Sequence, residues 1–223
     1  MPPPPFRSPA GDCEIDGAFA FLVKGVLSPP ECRLLVSAAE QETFTERTQL
    51  PDRSKNSGTC AVWSPDLASH VFERLGHLLP ATAGISADND KIATLDQLRA
   101  VGWPQCGALG RLVGVSPYVR VERYPCGAQL PPHRDTCVQV HGMSDSFTAL
   151  TIVVYLNDAF DGGETRLAIS AEPSAWLDIR ADIGDAIVFR QEILHMGGEV
   201  VCGSKYILRC DAIYSTVREE RVS

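Results

Sequence analysis

The fold of this chain is decided by the stretch His133-Arg134-Asp135, which is followed sixty residues beyond Asp135 by His195. Residues i and i+2 of an extended strand point to the same side, so His133 and Asp135 can bind one ion while Arg134 faces away. A third ligand must then come from another strand, and we expect His195 at the end of one. Two histidines and one carboxylate form a ligand set that holds Fe(II) and leaves the opposite face of the ion open.

The sequence around these ligands is typical of short β-strands. Residues 118–124 alternate with a period of two, and residues 149–156 are an almost unbroken apolar run, as in a strand buried on both faces. Further strands are predicted at 184–189 and 206–214. Many short strands that follow two helices predict an α+β chain, in which a double-stranded β-helix (a jelly-roll, cupin-like core) is supported by N-terminal helices.

Two helices are predicted in the first third of the chain, after a strand at 19–23. The first opens at the capping box Ser28-Pro29-Pro30-Glu31 and runs to about residue 42, and the second starts at Ser64-Pro65-Asp66. The residues expected to face the core are Leu34, Leu35 and Ala38 in the first helix and Leu67, Val71, Leu75 and Leu78 in the second. Residues 43–60 are predicted as a mobile polar loop, and residues 80–114 contain a candidate short helix at 95–100.

Composition excludes several classes of function. A net charge of −8 argues against a general surface for nucleic acid or an anionic membrane, so no such partner is expected. No segment approaches the ~20 apolar residues of a membrane-spanning helix, and the N-terminus lacks the apolar core of a signal peptide. The eight cysteines form no C-x-x-C pair. Reduced thiols and a cytoplasmic or nuclear location are therefore expected.

Seven short motifs occur in a fixed order in the second half of the chain. They are Arg123-Tyr124-Pro125-Cys126-Gly127, Pro132-His133-Arg134-Asp135, Tyr155-Leu156-Asn157-Asp158, Gly162-Gly163-Glu164-Thr165, Gly184-Asp185-Ala186-Ile187-Val188-Phe189, His195 and Gly203-Ser204-Lys205-Tyr206. In this order they resemble the 2-oxoglutarate and Fe(II)-dependent oxygenases, most closely their prolyl 4-hydroxylase-like branch. The resemblance covers about residues 116–214. It implies a single oxygenase domain over residues 14–223, preceded by a disordered proline-rich tail at residues 1–13.

The resemblance implies a metal site and a cosubstrate anchor. His133, Asp135 and His195 would hold Fe(II) and leave room for O2 and for the two-point chelation of 2-oxoglutarate. Lys205 would pair with the far carboxylate of 2-oxoglutarate, because a buried carboxylate without a partner is costly.

Three further side chains are implied in the cosubstrate site. Tyr124 and Thr165 lie where the family places hydroxyl donors to 2-oxoglutarate. Arg209 lies two strand steps beyond Lys205 and should share its face, either as a second contact to cosubstrate or substrate or in an internal ion pair with Asp211 or Glu164. The sequence leaves open whether Lys205 or Arg209 is the main anchor.

The implied reaction is hydroxylation of a C–H bond with release of succinate and CO2, with ascorbate as a candidate supporting reductant. The segment Arg53-Ser54-Lys55-Asn56-Ser57-Gly58-Thr59 resembles the family's substrate loop, so Arg53, Ser57, Gly58 and Thr59 are predicted substrate contacts. A peptidyl, prolyl-type substrate is expected. A free amino acid, a small natural product, or a non-catalytic role as a 2-oxoglutarate and metal sensor are the alternatives, because fold analogy says little about substrate. The oligomeric state stays open.

Overall fold

A computed structural model describes residues 13–15, 18–46, 57–84, 109–140, 142–143, 145–168 and 176–216. The predicted tail, apart from Cys13, and the candidate helix at 95–100 lie outside these residues. The helices are α1 (Pro29–Gln41) and α2 (Pro65–Leu75), with a 3-10 turn at Gly76–Leu78. The strands are β1 (Cys13–Ile15), β2 (Ala18–Val23), β3 (Thr45–Glu46), β4 (Gly58–Trp63), β5 (Thr82–Gly84), β6 (Leu109–Val115), β7 (Tyr118–Pro125), β8 (Leu130–His133), β9 (Ser146–Tyr155), β10 (Phe160–Gly162), β11 (Thr165–Ala168), β12 (Trp176–Ile179), β13 (Ala186–Arg190), β14 (His195–Gly197) and β15 (Val200–Thr216).

Antiparallel strands form two sheets, and the second half of the chain crosses repeatedly between them. The larger sheet has the order β1-β2-β13-β9-β15-β7-β4-β3, with β5, β6 and β10 attached, and the smaller has the order β12-β11-β14-β8. From β7 onward, strands of the larger sheet (β7, β9, β13, β15) alternate along the chain with strands of the smaller one (β8, β11 with β12, β14). This alternation is the double-stranded β-helix, so the predicted fold class is confirmed.

Two apolar layers lie on either side of the larger sheet. On β9, Ile152 and Val154 join the layer between the sheet and the helices, whereas Val153 and Tyr155 join the layer between the two sheets. Successive residues of a strand point to opposite faces, so a strand that is covered on both faces must be apolar at nearly every position. The predicted strand with two buried faces is confirmed.

Helix α1 begins where the sequence predicts, but it faces the core differently. Ser28 is its N-cap, and the Glu31 carboxylate accepts the Ser28 N–H at 2.7 Å. Of the three residues predicted to face the core, Leu35 is half-buried and packs against it, but Leu34 is 70% exposed and Ala38 is exposed, so the prediction was wrong for these two. Cys32 and Ala39 are buried instead. These two small side chains, seven residues apart, lie on one helical face and allow the helix to approach the sheet closely.

Helix α2 is confirmed, with Val71 and Leu75 fully buried and Leu67 and Leu78 half-buried. Its Arg74 donates from Nη1 and Nη2 to the Glu31 carboxylate, each at 2.9 Å, and these bonds connect α2 to the first turn of α1. Hydrogen bonds from Arg74 and Ser28 hold the pKa of Glu31 well below its usual range. None of the described helices is long and apolar enough to cross a membrane.

The loop predicted at 43–60 was wrong in two places, near its start and at its end. Gly58 begins β4, which pairs along its length with β7, and Thr45–Glu46 forms the short β3 beside it. Residues 47–56 lie outside the described part of the chain. The strand predicted from Gly184 begins instead at Ala186, because Gly184 occupies a turn with φ of +86°.

Candidate metal centre

His133 and His195 are brought together by two neighbouring strands of the smaller sheet. They are cross-strand partners in β8 and β14, and their ring centroids lie 4.1 Å apart. The Nδ1 atom of each ring lies 2.9 Å from the backbone carbonyl oxygen of the residue two positions earlier, Pro131 or Ile193. A carbonyl only accepts, so each Nδ1 carries the hydrogen, and in the neutral ring it is Nε2 that has the lone pair a metal ion needs.

Asp135 completes the group from a loop. It lies two residues beyond the end of β8, where its N–H donates to the Gln191 carbonyl at 2.9 Å. Its Oδ1 lies 3.8 Å from His133 Nε2, and its Oδ2 lies 3.6 Å from His195 Nε2. Ligand atoms of the three residues all lie within 4.8 Å of one another.

The local backbone at the three residues differs from the sequence-based expectation. Asp135 does not continue the strand of His133, and His195 begins β14 instead of ending a strand. Asp135 therefore reaches His133 from a loop and not from the same strand. This loop is hydrogen-bonded to the segment between β13 and β14. The three side chains nevertheless converge.

The electrostatics of the three groups suit a divalent cation. Burial lowers the pKa of His195 to about 4, so its imidazole is neutral at neutral pH. Burial alone would raise the pKa of the Asp135 carboxyl, but Arg209, His195 and Thr151 together hold it below its ordinary value. One carboxylate with two imidazoles is a donor set that suits Fe(II) and similar transition metals.

A cavity runs from these three residues between the two sheets. One end is formed by the triad with Thr151 and Arg209, and the other by Lys205, Gly163 and Thr165. The remaining lining residues are Glu122, Tyr124, Leu130, Val153, Phe189, Met196, Gly197, Gly198, Val200 and Ile207.

Lys205 lies at the inner end of the cavity and is only 4% exposed. Its Nζ donates to the Gly163 carbonyl at 2.7 Å and to Thr165 Oγ1 at 3.3 Å. Burial lowers the pKa of Lys205 to about 8, while Glu122 and Glu164 act in the opposite direction. An ammonium group has three hydrogens, so two protein acceptors leave one donor for an anion in the cavity.

The side chains of Thr165 and Tyr155 extend this polar end. Tyr155 donates its hydroxyl hydrogen to Thr165 Oγ1 at 2.6 Å, and burial raises the pKa of Tyr155, so it stays protonated. Thr165 therefore accepts from both neighbours and retains its own hydrogen for donation. Sequence reasoning assigned no role to Tyr155, although period-two alternation along β9 places it on the inner face with Val153.

Asn157 holds the backbone on both sides of Lys205. Its amide nitrogen donates to the Ser204 carbonyl at 2.7 Å, and its amide oxygen accepts the Tyr206 N–H at 2.8 Å. The start of β15 is thereby fixed against the end of β9. This was also missed from the sequence, where Asn157 was noted only as part of a motif.

Tyr124 and Glu122 form a pair on the inner face of β7. The Tyr124 hydroxyl donates to the Glu122 carboxylate at 2.5 Å, and Glu122 is buried. In this arrangement the Tyr124 hydrogen serves Glu122, whereas the sequence predicts that it serves the cosubstrate. Glu122 was missed, although the alternation that turns Tyr124 inward turns residue 122 inward as well.

Arg209 lies at the metal end of the cavity and not beside Lys205. Its Nη2 lies 2.7 Å from Asp135 Oδ1 and 3.8 Å from Asp211 Oδ1. The ion pair with Asp211, one of the two sequence-based alternatives, is present, and Arg209 also lines the cavity. A contact of Arg209 with cosubstrate or substrate stays a prediction.

The predicted substrate loop is described only in part. Arg53 lies outside the described residues, Ser57 is buried, and Gly58 and Thr59 belong to β4. Thr59 is the cross-strand partner of Glu122, so it stands next to the cavity on the inner face of the sheet.

Comparison with known proteins agrees with this geometry. Residues 119–210 match the family model of the 2OG-Fe(II) oxygenase superfamily. No protein in the comparison with curated sequences matches the chain.

Similar solved structures include a viral collagen prolyl hydroxylase from Paramecium Bursaria Chlorella virus-1 in complex with 2OG, with 19% identity, a TM-score of 0.54, and coverage of 92% of this chain and 100% of that one. A prolyl hydroxylase from Trichoplax adhaerens, bound to a hypoxia inducible factor peptide fragment, has 14% identity and a TM-score of 0.52. The match covers 88% of this chain and 83% of that one. HygX from Streptomyces hygroscopicus, with nickel, 2-oxoglutarate and hygromycin B bound, has 15% identity and a TM-score of 0.50. The match covers 91% of this chain and 85% of that one. At these identities the likeness concerns the fold.

Proposed function

We propose that this chain, whose residues 119–210 match the family model of the 2OG-Fe(II) oxygenase superfamily, is a 2-oxoglutarate-dependent dioxygenase that hydroxylates a C–H bond of a prolyl-type peptidyl substrate. The observation that carries the proposal is one cavity with a His-Asp-His ligand set at one end and a buried lysine at the other. A dicarboxylic keto acid needs a metal at its keto end and a cation at its far end. The two ends of this cavity match that need.

His133, Asp135 and His195 are the residues that would hold Fe(II). Three protein ligands on one side leave room for 2-oxoglutarate and O2 on the other. When bound, iron and 2-oxoglutarate supply the oxidation, in which O2 converts the cosubstrate to succinate and CO2 and places a hydroxyl group on the substrate carbon.

Lys205, and not Arg209, is the proposed anchor for the far carboxylate of 2-oxoglutarate. Lys205 is buried at the inner end, beside the Thr165 hydroxyl that can donate a second hydrogen bond. Arg209 already faces two carboxylates, Asp135 and Asp211. A charge-assisted bond to Lys205 offsets the cost of burying the dicarboxylate.

The walls between the two ends are largely apolar. Val153, Phe189 and Ile207 are buried and line the cavity. They exclude water from the reacting carbon and strengthen the electrostatic contacts at both ends. The Tyr124–Glu122 pair is proposed to shape the wall, and Thr59 to contact the substrate.

The peptidyl substrate is the finer part of the proposal. Its support is the branch-typical lysine at position 205 and the fold shared with prolyl hydroxylases, one of them bound to a peptide. The HygX structure holds hygromycin B in the same fold, so small molecules are included in the test.

The test incubates the protein with Fe(II), 2-oxoglutarate and O2, and measures succinate. A panel of proline-containing peptides, free amino acids and small natural products is then screened for a mass gain of one oxygen atom. We expect hydroxylated peptide with one succinate formed per hydroxylation. If only small molecules were hydroxylated, the substrate would be a small molecule and not a peptide. Absence of succinate under all conditions would contradict enzymatic activity.

His133→Ala and His195→Ala are expected to reduce turnover by more than about 100-fold, since loss of groups that merely orient metal ligands already costs about 10–100-fold. The matched control is His77→Ala, because His77 is exposed in the 3-10 turn after α2. Near wild-type turnover in either triad variant would refute the assigned ligands.

A further inference from the structure

Each carboxylate oxygen of Asp135 has its own partner. Thr151, on β9 of the larger sheet, donates its hydroxyl hydrogen to Oδ2 at 2.6 Å. Arg209, on β15 of the same sheet, lies 2.7 Å from Oδ1 through Nη2. Asp135 itself follows a strand of the smaller sheet, so these two contacts hold its carboxylate across the barrel.

Arg209 is itself held from behind. The same Nη2 lies 3.8 Å from Asp211 Oδ1, and Asp211 accepts hydrogen bonds from Gln191 at 3.0 Å and from Arg120 at 3.2 Å. Arg209, Gln191 and Asp211 are buried or nearly so. The guanidinium is therefore fixed between two carboxylates and has little freedom to follow Asp135 if that side chain rotates.

The two histidines are oriented in a comparable way. Their Nδ1–H groups are committed to the backbone carbonyls of Pro131 and Ile193. Backbone contacts thus fix the orientation of the two imidazoles, whereas two side chains fix the orientation of the Asp135 carboxylate. A carboxylate with free rotation would lose rotational entropy on binding a metal ion, and preorganisation removes that cost.

Resting on the proposed function, we propose that Arg209 and Thr151 are positioning residues that fix the Asp135 carboxylate for metal binding. Arg209 acts by holding one nitrogen of its rigid planar guanidinium, Nη2, between Asp135 and Asp211, and not as a contact for 2-oxoglutarate. Lysine supplies the same charge as a point on a flexible stem, so it cannot replace this geometry.

The test uses substitutions that leave the net charge unchanged, because loss of a positive charge would by itself alter attraction for a cation. Thr151→Val removes the hydroxyl at constant shape, Thr151→Ser retains it, and Arg209→Lys retains the charge. Co(II) is titrated into the metal-free protein, and affinity is taken from its visible absorption in competition with a chelator. Separate titrations give the affinity of the Co(II)-loaded protein for 2-oxoglutarate.

Two controls come from other strands of the same sheet. Thr45→Val, on β3, makes the same change of side chain at an exposed position outside the contacts described for Asp135 and Arg209. Arg123→Lys, on β7, alters an arginine that pairs with Glu40 of α1 on the far side of the sheet. Thermal unfolding of each variant verifies that it is folded.

We expect Thr151→Val and Arg209→Lys each to weaken Co(II) affinity by about 10-fold or more, as is usual for partners of metal ligands. Thr151→Ser and both controls should remain within about 2-fold of the wild type, a change too small for loss of such a partner. The inference would be overturned if both Thr151→Val and Arg209→Lys bound Co(II) as tightly as the wild type. It would also be overturned if Arg209→Lys weakened the affinity for 2-oxoglutarate and left the affinity for Co(II) unchanged. Failure of the wild-type protein to bind Co(II) would refute the proposed function itself, and this inference with it.

Discussion

Lys205 is the residue whose chemistry depends most on its surroundings. A lysine in water is charged at every physiological pH, but burial lowers the pKa of Lys205 to about 8. Glu122 on β7 and Glu164 before β11 favour the charged form, and the ring of Tyr155 lies 5.1 Å below the ammonium. Without a bound anion, this lysine therefore loses its proton as the pH rises through about 8.

This pKa predicts a pH dependence of 2-oxoglutarate binding. Only the protonated lysine attracts a carboxylate, and its fraction falls as pH rises through 8, so affinity should fall above that pH by up to about 10-fold per pH unit. Calorimetric titration of the metal-loaded protein with 2-oxoglutarate from pH 6.5 to 9.5 measures this. Arg209→Lys does not remove this dependence, whereas Lys205→Arg should, because arginine stays charged. A flat profile in the wild type would show that Lys205 is not the anchor.

The turn before β13 shows how an element depends on one backbone conformation. Gly184 has φ of +86°, and its carbonyl accepts the Leu27 N–H at 3.0 Å. A Cβ added at Gly184 would lie 1.9 Å from the Leu27 carbonyl oxygen. The turn therefore joins β13 closely to the segment that leads into α1, and a side chain has no room there.

Gly184→Ala is expected to lower the free energy of unfolding by about 2–4 kcal/mol, from the left-handed backbone and the overpacking together. The matched control is Gly114→Ala in β6, where an added Cβ meets nothing within 4 Å. That control should leave the free energy of unfolding unchanged or raise it by up to about 1 kcal/mol, because alanine has less conformational freedom than glycine in the unfolded chain. Urea denaturation followed by fluorescence measures both, and equal stability of the two variants would contradict the argument.

At the scale of the whole molecule, the proposed site joins the two sheets. Of the three proposed metal ligands, His133 and His195 lie on strands of the smaller sheet and Asp135 lies in the loop after β8. Thr151, Lys205 and Arg209 lie on strands of the larger sheet. A ligand bound by both sheets stabilises the folded chain and has no comparable site in the unfolded one. Metal and cosubstrate should therefore stabilise the barrel as a unit.

Co(II) and 2-oxoglutarate, at about 100 times their dissociation constants, should each add about 2.7 kcal/mol of stability. For a chain of this size this raises Tm by about 5–10 °C for each ligand. Differential scanning fluorimetry measures the shift, which His195→Ala should abolish for the metal and His77→Ala should retain. A full shift in His195→Ala would mean that the metal binds elsewhere.

Local patterns were enough to predict much of this protein. The period of two in 118–124, the apolar run at 149–156 and the start of each helix depend on backbone geometry and capping chemistry that operate over a few residues. The types of ligand in His133, Asp135 and His195 are likewise chemical properties of the side chains. These features indicated the barrel, the sheet with two covered faces, and the residues that converge.

Partners across the barrel could not be predicted from the sequence. The contacts of Arg209 with Asp135, of Tyr124 with Glu122, and of Thr151 with Asp135 depend on which inward-facing side chains meet across strands that are far apart in the chain. Part of the buried face of α1 was missed for the same reason, since Leu34 and Cys32 are both apolar and only the packing of the helix on the sheet selects between them. On the strands, the sequence determined which residues turn inward and what chemistry they carry. Tertiary structure alone decided which of them touch, because register and packing are set by contacts across the whole fold.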